Sequence, residues 1–349
     1  MSKRVLVAMS GGVDSAVAAL VLKEQGYDVI GTTLRLLNNA ATERAIADAE
    51  QTAKTLDIPF HVLDCREPFE KRVIAPFAAA YASGKTPNPC VLCNPNVKFF
   101  ELYAFAQWHD CDYLATGHYA RVIRRGEDGL PHLLKGLDPK KDQSYMLYAL
   151  PRDILSDVLF PLGEMDKTAV RALAQQHGFT SASAKESQDI CFIPDGDYAR
   201  YLKEERGIQS APGDFVDASG KVIGRHDGCI RFTIGQRKGL GMGFGKPMFV
   251  LGKDTETGRV TLGDEEDLFA SALHATDVNW LCDPAALPAS GITAKARYSQ
   301  HEAPVTVTVG DGQMDVFFTT PQRALTVGQA VVLYHGDRVL GGGTIDKIL

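Results

Sequence analysis

The chain has 349 residues, of which 45% are hydrophobic and 23% charged, and its formal net charge is −6. This length favours two or three domains, and the acidic balance excludes nucleic-acid binding by overall charge, so any such binding needs a local basic patch. No apolar run approaches the ~20 residues that span a bilayer, and the N-terminus leads directly into a predicted strand. We therefore expect a cytoplasmic protein with no signal peptide and no membrane contact.

The N-terminal stretch predicts a strand, a glycine loop and a helix in close succession. Val5 to Ala8 is a short apolar run typical of a buried strand, and an Ala-rich helix is predicted over 16–25. Backbone N–H groups and the positive end of the helix dipole would meet at the intervening loop, which suits a phosphate. The loop has no Lys before Ser15, as a Walker A loop would, and it lacks the dinucleotide spacing G-x-G-x-x-G.

This loop, Ser10-Gly11-Gly12-Val13-Asp14-Ser15, resembles the PP-loop motif S-G-G-x-D-S of the ATP pyrophosphatases. Members of that superfamily cleave ATP between the α and β phosphates and pass AMP to a substrate oxygen. The alternative is an ordinary strand-to-helix turn. The motif matches at six positions and lies between a predicted strand and a predicted helix, which favours the PP-loop strongly over that alternative.

Predicted strands and helices alternate through the first third of the chain. The pattern implies a doubly wound parallel sheet with helices on both faces, whose ligands lie at the carboxyl ends of the strands. Predicted strands cover 28–34, 59–65 and 113–118, and predicted helices cover 42–56, 69–81 and 97–108. Beyond them we predict a hairpin over 119–137 and a helix over 166–177.

The composition changes near residue 205. Between Lys221 and Arg259 there are nine Gly and eight basic residues against three acidic ones, a local net charge of +5. Arg231, Arg237 and Lys238 in this segment suit a nucleic-acid backbone, or else form an ordinary charged hairpin surface. After residue 270, β-branched alternation predicts strands over 292–298, 305–309, 314–318 and 330–334, as in a β-barrel or small sandwich. We therefore expect domains over 1–205, 206–270 and 271–349.

The seven cysteines are an odd number, which favours reactive or metal-bound thiols over a disulfide framework. Cys90 and Cys93 form a C-x-x-C in a Pro-rich loop predicted to be irregular, and Cys191 follows about a hundred residues later. One interpretation is a thiolate nucleophile facing a sulfur carrier, with pKa values lowered by Lys85, Lys98 and a helix start at residue 97. A structural zinc site is the alternative, with His109 or Cys111 as fourth ligand. Inert thiols are expected at Cys65, Cys111, Cys229 and Cys282.

Two further stretches leave a functional and a structural interpretation open. His118 ends a predicted strand beside the glycine loop, where it either approaches the nucleotide or serves as a structural histidine. Lys141-Asp142-Gln143 either contacts phosphates or bases, or is a solvated helix start.

Together these motifs resemble the tRNA-specific 2-thiouridylases, the MnmA/TrmU family. The resemblance implies an N-terminal PP-loop domain, a small central domain and a C-terminal β-barrel. The matching stretches follow the family's order: Ser10 to Ser15, Thr86 to Pro89, Cys93-Asn94, Lys98-Phe99, Thr116 to Arg121, Lys141 to Tyr145, Ser187 to Ile193 and Thr233 to Leu240.

The resemblance also implies the reaction of an ATP-dependent tRNA-uridine 2-sulfurtransferase. ATP adenylates the C2 oxygen of the wobble uridine, at position 34 of the tRNA, and pyrophosphate leaves. A persulfide sulfur then displaces AMP and gives 2-thiouridine. Two alternatives come from other classes: another PP-loop enzyme, such as a lysidine synthase or an amide-forming synthetase, and a non-catalytic tRNA-binding sulfur carrier.

Site residues and partners are implied in the same way. Cys93 matches the family's nucleophile and Cys191 its persulfide carrier. The implied partners are tRNA, ATP with Mg²⁺, and a sulfur-donating protein or sulfide source. The implied ATP site is Ala8, Met9, Ser10, Gly11, Gly12, Val13, Asp14, Ser15, Leu34 and Gly117. The implied target-base contacts are Asn88, Pro89 and Cys90, and the other tRNA contacts are His118, Lys141, Asp142, Gln143, Arg297, Tyr298 and Gln329.

One position departs from the family pattern, because many members carry Asp where this chain has Cys90. The extra thiol permits a [4Fe–4S] cluster held by Cys90, Cys93 and Cys191, with one open iron that binds the sulfur to be transferred. The sequence leaves both the cluster and a persulfide–disulfide cycle open, and the third soft ligand favours the cluster slightly.

Overall fold

The computed structural model describes residues 2–179 and 190–349. Its strands are β1 (Arg4–Ala8), β2 (Asp28–Arg35), β3 (Phe60–Asp64), β4 (Tyr113–Thr116), β5 (Ala120–Ile123), β6 (His132–Lys135), β7 (Val158–Leu159), β8 (Gly213–Val216), β9 (Val222–His226), β10 (Phe249–Asp254), β11 (Arg259–Gly263), β12 (Phe269–Trp280), β13 (Ile292–Lys295), β14 (Ala303–Val309), β15 (Met314–Arg323), β16 (Ala330–His335) and β17 (Arg338–Ile348). Its α-helices are α1 (Val13–Glu24), α2 (Ala40–Thr55), α3 (Arg66–Phe69), α4 (Ala75–Ala82), α5 (Pro89–Cys93), α6 (Phe99–Trp108), α7 (Ser144–Leu147), α8 (Lys167–Gln176) and α9 (Tyr198–Glu204).

The predicted parallel sheet is confirmed, with strand order β3-β2-β1-β4-β7. Val5, Leu6 and Val7 of the central strand are fully buried because helices cover both faces of the sheet. Ala8 pairs with Thr32 of β2 and with Thr116 of β4, so these three strands end along one edge. The glycine loop leaves β1 at this edge, where ligands of such sheets bind.

The predicted β-barrel is also confirmed. Six strands in the order β12-β15-β14-β13-β16-β17 form a sheet, and pairing of β12 with β17 closes it. The sequence analysis missed these two closing strands. Gly341, Gly342 and Gly343 weaken the strand signal of β17, yet a Cβ on Gly342 would lie 2.7 Å from the Tyr148 ring, so close packing there requires glycine.

The barrel and the PP-loop domain share a sheet and a core. The predicted hairpin, β5 with β6, extends the barrel sheet because β6 pairs with β17. Tyr145 of α7 is fully buried between the two units and donates its hydroxyl to the carbonyl of Ala330, at 2.8 Å. The barrel is therefore held directly against the unit that contains the parallel sheet.

The central segment forms a separate four-stranded sheet in the order β10-β11-β8-β9, packed around the fully buried Phe215. Among residues 2–179 and 190–349, no helix is both long and apolar enough to cross a membrane.

Candidate active site

The loop between β1 and α1 is shaped by glycine. Gly11 has φ +75°, and a Cβ there would lie 2.3 Å from the carbonyl oxygen of Ala45 in α2, so the predicted loop requires glycine at this position. Ser15 closes the loop, because its hydroxyl accepts the Ser10 N–H at 3.0 Å and donates to the Gly12 carbonyl at 3.0 Å. The first turn of α1 is thus fixed against its own loop.

The start of α1 presents donors to a ligand. The first hydrogen bond within the helix runs from Ala16 N to Gly12 O, so the N–H groups of Val13, Asp14 and Ser15 have no acceptor within the helix. Gly12 precedes the helix and supplies no side-chain cap. These N–H groups and the helix dipole form an anion site of the kind a triphosphate needs.

Two neighbouring strands complete this edge. A Cβ on Gly117, directly after β4, would lie 2.9 Å from the Asp14 carbonyl carbon and the Ser15 nitrogen, so β4 ends in contact with the loop. Leu34 lies near the end of β2, and Met9, which follows β1, is buried and donates its N–H to Thr32 O. The residues expected to bind ATP therefore lie at one edge.

The sequence analysis missed a cation at this edge. The Lys167 ammonium contacts both carboxylate oxygens of Asp14, at 2.6 and 2.8 Å, and Tyr119 donates its hydroxyl to the same carboxylate at 2.8 Å. Lys167 is only 9% exposed and begins α8, whose first turn is capped by Asp166 as predicted. The pairing joins residues 153 positions apart, so no local pattern could reveal it.

The cysteine loop differs from the prediction, which made it irregular as far as Pro95 and started a helix at residue 97. Helix begins instead at Pro89, and α5 continues through a π-helical segment, Asn94–Lys98, into α6. Pro89 occupies the first turn, where its missing N–H costs nothing, and Pro95 falls in the π-helical segment, where the regular hydrogen-bond ladder is already interrupted. Asn88 is the N-cap, since its side-chain oxygen accepts the Cys90 N–H at 3.1 Å.

Three thiols interact electrostatically with one ammonium. Lys98 interacts electrostatically with Cys90, Cys93 and Cys191, and these interactions raise its pKa although burial opposes the charge. Cys93 is 6% exposed, whereas Cys90 and Cys191 are exposed as whole residues, although the protein still desolvates the Cys191 sulfur. The other lysine expected to act here, Lys85, pairs with Asp346 at 3.1 Å instead.

Burial affects the pKa values of Cys93 and Cys191 more strongly than the Lys98 charge does. It raises the pKa of Cys93 to about 11, even though the Lys98 charge lowers it, and it raises the pKa of Cys191 with the same opposition. The expectation of lowered pKa values is therefore wrong for these two thiols. Both are therefore mainly protonated thiols near neutral pH, and each must lose its proton before it can act as a nucleophile.

A pH profile tests this assignment. Alkylation of Cys93 should accelerate about tenfold per pH unit between about pH 7 and pH 9, without a plateau, because only the thiolate reacts and its pKa is about 11. Iodoacetamide labelling of the intact protein followed by peptide mass spectrometry gives the rate. Lys98→Met should slow the reaction at each pH, since the lysine charge favours the thiolate. A plateau near pH 8 would contradict the assignment.

The thiols do not form a metal-ligand set. In the part of the chain that the structure describes, which includes Cys90, Cys93 and Cys191, no three His, Cys, Asp or Glu side chains are grouped to hold a metal ion. The Lys98 charge interacts with all three thiols and would oppose a bare divalent cation there. All seven cysteines are free.

His118 interacts electrostatically with the same lysine. Its Nδ1 lies 2.7 Å from the Thr116 hydroxyl and its ring stacks on Phe99. Burial and the Lys98 charge lower the pKa of His118 to about 3, so the imidazole is neutral at neutral pH. A neutral imidazole can offer a hydrogen bond to a base but cannot attract a phosphate by charge.

The other expected tRNA contacts are partly used within the protein. Asp142 is 7% exposed and accepts the N–H groups of Gly136 and Ser144, which makes it a structural anchor. Gln143 accepts the Tyr119 N–H through its side chain, whereas Lys141 is half-buried. This stretch is therefore not a solvated helix start, and two of its three side chains already make hydrogen bonds within the protein.

The barrel brings its own expected residues to this face. Tyr298 is exposed, donates its hydroxyl to the Asp142 carbonyl, and interacts electrostatically with Cys90. Arg297 is half-buried, with its guanidinium bonded to Ile234 O and Thr326 Oγ1. Arg237 and Lys238 are exposed on the central domain. Of the expected motif 187–193, only residues 190–193 lie within the described residues.

Family models and curated relatives match this chain over nearly its full length. Models described as a tRNA methyl transferase HUP domain, a tRNA methyl transferase PRC-barrel domain and an aminomethyltransferase β-barrel domain match residues 3–195, 200–264 and 270–345. Relatives named tRNA-specific 2-thiouridylase MnmA include those of Carboxydothermus hydrogenoformans, 45% identical over 99% of this chain and 98% of the relative, and Geobacter metallireducens, 47% identical over 99% and 98%. That of Clostridioides difficile is 44% identical over 100% of this chain and 99% of the relative. The model names refer to methyl transfer and the full-length relatives to thiolation.

Proposed function

The chain belongs to the tRNA-specific 2-thiouridylase family, and from this premise we propose that it uses ATP to replace the C2 oxygen of the wobble uridine of tRNA by sulfur. It is an ATP-dependent tRNA sulfurtransferase, and the products are 2-thiouridine, AMP and pyrophosphate. Because its substrates are tRNA and ATP, we expect it to act in the cytoplasm.

One observation carries the assignment. Gly117 touches the phosphate loop at Asp14, and the next residue, His118, interacts electrostatically with Lys98, which interacts in the same way with the three thiols. The phosphate-binding half and the sulfur-bearing half of the site are thus joined by two consecutive residues. A base bound at this junction has the α-phosphate on one side and thiols on the other, as adenylation followed by sulfur transfer requires.

In the activation step, the C2 oxygen attacks the α-phosphate and pyrophosphate leaves. The N–H groups at the start of α1 stabilise the charge that develops on the phosphates. If a Mg²⁺ ion binds together with the phosphates, Asp14 would be the carboxylate that holds it, in exchange for its present contact with the Lys167 ammonium. When bound, such an ion neutralises charge on the pyrophosphate.

In the transfer step, the terminal sulfur of a persulfide on Cys191 attacks C2, and AMP leaves. Cys93 then attacks the Cys191 sulfur, which forms a Cys93–Cys191 disulfide and releases the thiolated base. The two cysteines are oxidised and the transferred sulfur is reduced, so an external thiol must reduce the disulfide before the next cycle. A sulfur-donating protein or another sulfide source must also renew the persulfide.

A stoichiometry assay tests the function. Protein, ATP, an unmodified tRNA transcript and a persulfide donor should yield equal amounts of AMP, pyrophosphate and 2-thiouridine. Pyrophosphate release that needs no tRNA and gives no thiolated base would favour another PP-loop enzyme. Tight tRNA binding without ATP cleavage would favour a sulfur carrier.

Cys90→Asp distinguishes the two sulfur chemistries left open by the sequence. The thiols around Lys98 fit the persulfide cycle, which uses Cys93 and Cys191 only, so this variant should retain activity within about threefold of wild type. The Asn88 cap of the Cys90 N–H does not depend on the side chain, so α5 is preserved. Iron content and activity with a persulfide donor are measured on the same anaerobically purified wild-type and variant protein. Loss of both iron and activity in Cys90→Asp would support a cluster instead, because a carboxylate is a harder ligand than a thiolate.

The basic central segment should contribute to tRNA affinity. Arg237 and Lys238 are exposed, so replacing both by Ala should reduce the slope of log affinity against log salt by up to ~2. Titrations of labelled tRNA at several salt concentrations give the slope. Lys54→Ala with Lys71→Ala is a matched control on helices whose lysines pair with glutamates, and it should leave the slope unchanged. An unchanged slope in the first variant would move the tRNA surface elsewhere.

A further inference from the structure

The connection between β15 and β16 of the barrel holds the cysteine loop through its backbone. The Thr86 N–H bonds to the carbonyl of Val327 at 3.0 Å, and the Gln329 side-chain amide donates to the Thr86 carbonyl at 2.6 Å. Both backbone polar groups of Thr86 are therefore satisfied by the barrel. Thr86 is only 8% exposed, so these bonds are shielded from water.

The clamping segment, Val327 to Gln329, is itself rigidly mounted. Gly328 has φ +91°, and a Cβ there would lie 2.9 Å from both Lys85 Cβ and Thr86 N. The clamping segment and the segment at Lys85 and Thr86 therefore pack so closely that only glycine fits at this position. The Gly328 N–H bonds to Ile345 O, and Ile345 N–H bonds to Gln329 O, both at 2.8 Å. These bonds tie the segment to β17 of the closed barrel.

Fixing Thr86 also fixes the thiols. Pro87, Asn88 and Pro89 separate it from Cys90, and each proline restricts the backbone to a narrow range of φ. On the other side of the thiols, Asn94 donates its amide to Met146 O at 2.9 Å. The cysteine helix is thus held at both ends by contacts outside itself.

We infer that the segment Val327 to Gln329 is a clamp that sets the position of Cys90 and Cys93, and that Gln329 is a positioning residue in the tRNA-free protein. The resemblance described above implies instead that Gln329 contacts tRNA. The clamp predicts a role that operates before any RNA binds. Its consequence for sulfur transfer rests on the proposed function, whereas the clamp itself does not.

Gln329→Ala tests the clamp in full-length protein without tRNA or ATP. Losing one shielded hydrogen bond should raise hydrogen–deuterium exchange of the segment 83–93 and the alkylation rate of the buried Cys93 by roughly two- to tenfold. Gln322→Ala is the matched control, because Gln322 lies on the same barrel and its amide bonds only within its own strand, to Thr320. The control should change neither rate.

Activity measurements then distinguish a positioning role of Gln329 from a role in tRNA binding. With tRNA, Gln329→Ala should lower kcat and leave the Kd for tRNA within about twofold of wild type. Unchanged exchange and Cys93 alkylation would overturn the clamp, and so would weaker tRNA binding with unchanged exchange. Because both exchange and alkylation are measured on the free protein, they hold or fail independently of the thiouridylase assignment.

Discussion

Replacing either Cys93 or Cys191 by serine should reduce 2-thiouridine formation by at least about 10³-fold, while ATP and tRNA binding stay close to wild type. A hydroxyl has nearly the volume of a thiol, so the buried Cys93 position keeps its packing, but oxygen can neither carry a sulfane sulfur nor form the disulfide that releases it. Mass spectrometry of digested tRNA measures the product, and equilibrium binding measures the two ligands.

Cys111→Ser is the matched control for these variants. Cys111 lies between α6 and β4, away from the Lys98 cluster, and its thiol points to the carbonyl of His109. Burial raises its pKa to about 11, as for Cys93, so the control shares the ionisation and differs in location. Normal thiolation by either Cys93→Ser or Cys191→Ser would remove that cysteine from the mechanism.

What the sequence predicted well depends on neighbours along the chain. The Val5 to Ala8 strand, the glycine loop and the Asp166 cap are local patterns, and the structure has each of them. The cysteine helix was placed too late because proline was treated as a breaker, although the first turn tolerates Pro89. The strand β17 was missed because its three glycines weaken the pattern and are explained only by packing partners far along the chain.

In the candidate site, too, the features with a local sequence pattern could be predicted and those that depend on distant residues could not. The sequence indicated that Lys98 would lie near the thiols, but it did not indicate that burial would dominate their pKa values, because burial is a property of the assembled fold. The contacts of Asp14 with Lys167 and of Thr86 with Gln329 span 153 and 243 residues. Neither has a local signal, and both bear on how the two halves of the site are held.

Asp14→Ala should abolish pyrophosphate release, because Asp14 lies in the first turn of the helix that receives the phosphates and is the carboxylate that a bound Mg²⁺ would take over from Lys167. The structure adds that the fold should also be affected. Asp14 pairs with the buried Lys167 ammonium through both oxygens and accepts the Tyr119 hydroxyl, so its loss should lower the free energy of unfolding by about 1–3 kcal/mol. Asp48→Ala is the control, because Asp48 is exposed on α2, and it should change neither pyrophosphate release nor the free energy of unfolding.

The double variant Asp14→Ala with Lys167→Met separates the two effects. Removing the ammonium together with its carboxylate should recover most of the lost stability, because methionine occupies a similar volume without a charge that needs a partner. Pyrophosphate release should remain absent, since neither the carboxylate nor the ammonium is restored. Chemical denaturation and a pyrophosphate assay on the same samples give both quantities. Wild-type turnover in either Asp14 variant would refute the PP-loop assignment, whereas a double variant as unstable as Asp14→Ala would mean that Asp14 stabilises the loop through Tyr119 and the start of α1 more than through its ion pair.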